Sequence, residues 1–224
     1  MVLVVRVMAK PLSAPQILRI AAGISAIPAS AEINARQRSA LWRRGELEVL
    51  CQVTKEQGHI LTWSTFIGDA KLGPAMTDFG SLSIKIRGLT DYVTEWPIRP
   101  SAELETFLQE NLGKSSEFIV DREDLCELLA SYDDVARGRF YAWLTRGSYP
   151  ARLVQALIVA HDMGSSRHIS MIKEKLNGGP IVLSSGDRIE ILPKARYWAK
   201  EYEKALGAKI DLDGSLSLEG DGNG

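Results

Sequence analysis

His161 and Asp162 stand side by side where an apolar helical pattern runs out, and no other pair in the chain is as well suited to chemistry. An imidazole and a carboxylate both ligate divalent metals, so a metal-dependent hydrolase with its site near these two residues is one expectation. Such a site needs further ligands, and the chain has only two other histidines, His59 and His168. A histidine at a helix C-terminus also has a simpler use, because its charged form interacts favourably with the helix dipole. The helical phase sets His161 beside Leu157 and Ile158, which favours a partly buried, structural role.

Ser165, Ser166, Arg167 and His168 open the next helical pattern, where free N–H groups can hold an anion and Arg167 can assist. Capping alone accounts for the serines. The turns Gly178-Gly-Pro180 and Ser184-Ser-Gly-Asp187 lack the Lys-Ser/Thr and following helix of a phosphate loop. Arg36, Arg38, Arg43 and Arg44 cluster around Trp42, and interleaved Arg and Trp can pair phosphates and stack on bases. Trp42, Arg43, Arg44 and Arg167 are therefore binding candidates. Glu46 and Glu48 follow at once, however, and a solvated strand face explains the arginines as well. Nucleic-acid binding through Arg36–Arg44 ranks third among the functions considered. No motif implies a cofactor or a resident metal. Cys51 and Cys126 lie in apolar patterns as inert thiols, and two such residues fit a reducing compartment. Trp63, Trp96, Trp143 and Trp198 are expected between sheet and helices.

The 224 residues suffice for a sizeable core, and a formal net charge of −1 gives no field to draw in nucleic acid or an anionic membrane. Met1 to Met8 lacks the layout of a signal peptide, and no apolar run approaches the roughly 18 residues of a membrane span. A cytoplasmic location is expected.

The elements that must position these residues follow from a change of hydrophobic period. Between Leu41 and Ile98 apolar residues recur every second position, and from Ser101 every three to four. The first part predicts an antiparallel meander of four to five strands. Ala40–Arg44, Leu47–Val53, Leu61–Ile67 and Leu82–Ile86 alternate, and Tyr92–Ile98 adds a strand whose Pro97 sits at an edge or a strand end. A helix opened by Ser13 and Pro15 precedes them, and 32–38 reads as either short helix or loop.

In the second part Ser101 and Asp121 cap helices, Gly113 follows the end of the first, and Val135–Leu144 continues the helical pattern. Pro150 to Leu176 reads as a helical hairpin turning at Gly164, followed by a small β-hairpin at Ile181–Leu192 and a last helix from Pro193 to Leu206. The chain is thus read as one α+β domain over 1–207, with a frayed tail over 208–224.

Ala40-Leu-Trp-Arg-Arg-Gly-Glu-Leu-Glu-Val49, Trp63–Gly68 and Ser81-Leu-Ser-Ile-Lys-Ile-Arg87 together resemble a group of uncharacterised bacterial α+β domains. Several small families of that kind neighbour polymorphic toxins and are regarded as immunity-type proteins. The resemblance spans residues 15–165, and no site residue carries over. It implies a non-enzymatic module that binds another protein through its sheet face or an acidic rim, and this is the leading expectation.

Overall fold

The computed structural model describes residues 12–56, 60–72, 82–86, 100–212 and 216–218. His59, Trp96 and the strand expected at Tyr92–Ile98 lie outside them. The first helix, α1 (Ala14–Gly23), starts as expected. The Gln16 side-chain oxygen accepts from the Ser13 N–H and hydroxyl at 2.8 Å each, and Pro15 sits in the first turn. Its buried stripe is Ile17, Leu18 and Ala21.

Seven strands then form one antiparallel sheet. They are β1 (Glu32–Asn34), β2 (Ser39–Arg44), β3 (Leu47–Glu56), β4 (Ile60–Asp69), β5 (Leu82–Ile86), β6 (Val135–Arg137) and β7 (Phe140–Trp143), in the order β1-β2-β3-β4-β5-β7-β6. The architecture is α+β, as the period change predicts. The strand count is higher because 32–34 is a strand and because Val135–Leu144 is a hairpin, not a helix. That hairpin turns in two residues at Gly138, whose φ of +60° an L side chain adopts only with strain. Phe140, Tyr141 and Trp143 suit a pleated surface, and β7 pairs with β5 across the sheet.

Register sorts the side chains into two faces. Trp42, Val49 and Ile67 are opposite one another, as are Ala40, Cys51, Thr65 and, through Ile84, Ala142. Trp42, Val49, Ile67, Ala40, Cys51, Thr65 and Ala142 are buried on the inner face, against the helices. The last row of that face is Arg44, Leu47 and Asp69.

α2 begins as Ala102–Phe107, with Ser101 Oγ accepting from Leu104 N–H at 3.1 Å. It loosens into a π turn over Leu108–Gly113 and closes with Lys114–Ser116. Gly113 therefore lies inside the helical stretch instead of ending it. A Cβ there would sit 3.3 Å from the Ala26 carbonyl oxygen, so the residue marks a close backbone approach. α3 (Arg122–Leu129) is capped by Asp121, as expected.

α4 (Tyr149–Asp162) is buried on every side from Tyr149 to Ala160 and packs against α3, α5 (Ser166–Leu176) and α6 (Ile191–Leu206). A helix apolar all round must be central, and α4 is the hub of the helical half. Its two buried polar side chains have partners: Gln155 Nε2 donates to Tyr202 Oη at 2.6 Å, and Arg152 donates to backbone carbonyls. α1, the end of α2 and α3 touch the sheet itself.

The expected small hairpin is β8 (Ile181–Val182) with β9 (Arg188–Ile189). Beyond α6, where composition suggests fraying, β10 (Ala208–Ile210) pairs with β11 (Leu216–Leu218). Among the described residues no helix is long and apolar enough to cross a membrane.

Candidate functional site

Asp162 does not share a site with His161. It belongs to an ion cluster at the end of the sheet's inner face, centred on the buried Arg122 at the start of α3. Arg122 Nε donates to Asp69 Oδ2 at 2.6 Å, Nη2 lies 2.7 Å from Asp162 Oδ2, and Nη1 reaches Glu46 Oε1 at 3.4 Å. The contact with Asp162 is a close ion pair. Lys71 donates to the other oxygen of Asp162. Asp69 Oδ1 accepts the backbone N–H groups of Lys71 and Leu72 at 2.8 and 2.9 Å, which shapes the turn after β4. Burial works to raise the Asp162 carboxyl, but Lys71 and Arg122 outweigh it and hold it below its ordinary value. One guanidinium thus ties β4, the β2–β3 turn and the end of α4 to α3, and the carboxylates are already engaged.

His161 is half-buried, with Nε2 enclosed and lacking a hydrogen-bond partner among the described residues. Burial, helped by Lys173, pushes the imidazole below its ordinary value. The dipole-stabilised charged form expected at this helix end is therefore opposed by desolvation. His168 is 2% exposed. Its Nδ1 shares a hydrogen bond of 2.7 Å with the Ser165 hydroxyl, and Nε2 lies 3.5 Å from Glu127 Oε1. Serine, imidazole and carboxylate fall in the order that activates a nucleophile. The serine contact, however, spans one helical turn and the ring is enclosed, so the arrangement closes the start of α5 and braces it on α3. The exposed Arg167 adds a contact to the same Glu127 oxygen at 3.4 Å. Asp162 and His168 turn to different partners, and His161 joins neither. No group of three His, Cys, Asp or Glu side chains able to hold a metal forms among the described residues.

The Arg–Trp cluster is split by strand parity. Trp42, 5% exposed, belongs to the core, while Arg43 points to the opposite face and is exposed. Arg44 donates to the Ile119 carbonyl, a tie between sheet and the α2–α3 connection. Trp42 offers no stacking platform to a base. Cys51 and Cys126 are buried free thiols, each pushed up to about 12 by desolvation.

The outer face of the sheet carries what the sequence reading assigned elsewhere. Leu41, Leu50, Phe66 and, through Ser83, Trp143 lie in one register row across five strands. The first three are half-buried, and Trp143 is 53% exposed. Placing Trp143 in the core rested on a helix over Val135–Leu144; in a strand it alternates with the buried Ala142 and faces out. Polar residues flank the row, with Arg43 opposite Glu48 on one side and Gln52 opposite Ser64 on the other. The period-two pattern of Phe140-Tyr-Ala-Trp143 was the available signal, four residues long. Set beside known proteins, the chain matches no family model, no curated protein and no solved structure.

Proposed function

We propose that this protein is a non-enzymatic, cytoplasmic module that binds another protein through the outer face of its sheet, in the manner of bacterial immunity-type proteins. One observation carries the reading: a half-buried apolar row ends in an exposed tryptophan and is bordered by polar residues. That is the make-up of a contact surface with an apolar centre and a polar rim, and tryptophan is among the residues that anchor such contacts. The candidate acids and bases point the same way, since Asp162, Asp69 and His168 are engaged within the fold.

The test is a photo-crosslinking amino acid placed at Trp143 and, as control, at the exposed helix position Glu103, in the protein's native host. A discrete protein adduct from position 143 and none from 103 supports the reading. The same adducts from both positions, or none from 143, sink it.

A further inference from the structure

Away from the sheet, a cleft of about 490 Å³ opens where the end of α5, the start of α6 and the β8–β9 hairpin meet the loop before β6. The volume lies within the roughly 300–1,000 Å³ of small-molecule sites. Its apolar lining is Ile181, Ile191 and two tyrosine rings, Tyr132 and Tyr149, set edge to face at 5.2 Å and 81°.

Cations gather around this lining. The Arg146 guanidinium lies 4.9 Å from the Tyr132 ring centre. Asp133 Oδ1 fixes it by accepting from Nε at 3.2 Å and Nη2 at 2.8 Å, which leaves Nη1 unengaged among the described residues. Lys175 Nζ donates to the Ala130 carbonyl at 2.8 Å and meets no carboxylate among those residues. Arg152 lies behind Tyr149, 5.4 Å from its ring centre, and donates to backbone carbonyls, among them that of Leu129 at 3.0 Å, and to the Ser148 hydroxyl at 3.4 Å. Burial pulls its pKa down to about 10, so it stays charged at neutral pH. The opposing acids are occupied: Asp133 holds Arg146, and Asp134 accepts the Leu144 N–H. The Val182 carbonyl accepts from the Tyr132 hydroxyl at 3.2 Å, which holds the hairpin against that ring.

We infer that this cleft binds a small carboxylate with an aromatic or aliphatic body, the carboxylate at Lys175 and Arg146 and the body on Ile181, Ile191 and the tyrosine rings. Charge-assisted hydrogen bonds to the carboxylate supply orientation, and the apolar lining supplies affinity. The site is separate from the outer sheet face and does not depend on its role.

The test is an NMR titration of the full chain with 4-phenylbutyrate and with its neutral counterpart 4-phenylbutanamide. Saturable shifts confined to residues 130–134, 146–149 and 175–191 are expected, with the carboxylate binding about tenfold or more tighter than the amide. Arg146→Gln combined with Lys175→Gln should abolish the preference, and Lys175→Arg should keep it; the spectra themselves report that each variant is folded. Absence of saturable shifts, equal binding of acid and amide, or a preference that survives in the double glutamine variant each overturn the inference.

Discussion

Arg122 is the residue on which three ion pairs converge, and it left no mark in the sequence because its acids come from distant parts of the chain. Removing one partner of a buried charge cluster costs about 3–5 kcal/mol, since the remaining charges stay buried without compensation. Arg122→Ala is expected to lose stability on that scale in urea unfolding, as it leaves Asp69 buried without its cation. Asp162→Asn should cost less, because Asp162 is partly open to solvent and its partner Lys71 is exposed.

Acid sensitivity belongs to the same scale. The folded-state values of His161 and Asp162 both lie below the ordinary 6.5 and 3.8, so the unfolded chain binds more protons on the acid side. The contribution of His161 is complete above 6.5 and lost as pH falls below it; that of Asp162 is complete above 3.8 and lost below. Urea midpoints should therefore fall between about pH 7 and about pH 5, and His161→Gln should flatten that fall while leaving the later loss in place. An unchanged slope in His161→Gln would assign the sensitivity to another group.

Among the elements, those announced by local chemistry were legible. Ser13, Ser101 and Asp121 mark helix starts, and Gly164 ends α4, because a cap is made by neighbours in sequence. The β6–β7 hairpin was not legible. Three- and four-residue strands give too few repeats to separate a period of two from one of 3.6, and only pairing with β5 decides between them. That error moved Trp143 to the wrong side of the sheet, while adjacency in sequence alone grouped the buried Trp42 with the exposed Arg43, which faces the other way. The hairpin turn can be tested at Gly138, where a Cβ meets nothing within 4 Å, so any cost of substitution is conformational. Gly138→Ala is expected to lower stability by about 1 kcal/mol through the positive φ alone, measured by thermal unfolding.

For the whole molecule, the switch from alternating to helical periodicity revealed an α+β fold with an antiparallel sheet. It did not reveal the strand order, since β6 and β7 return to the sheet after α2 and α3 have covered its inner face. The candidate site was legible only in outline. A sheet face was the expected contact surface, but of the site residues named from the sequence only Arg43 lies on its outer side, while Trp42 serves the core, Asp162 the ion cluster and His168 the start of α5. The face turned away from the helices carries the half-buried Leu41, Leu50 and Phe66 and the exposed Trp143.

The decisive measurement is the affinity of the protein captured at position 143, determined by calorimetry for the wild type and for Trp143→Ala. An anchoring tryptophan at an interface centre is worth about 2 kcal/mol or more, so binding should weaken about 30-fold with the thermal stability of the variant unchanged. Equal affinity for both proteins would place the contact elsewhere and contradict the account.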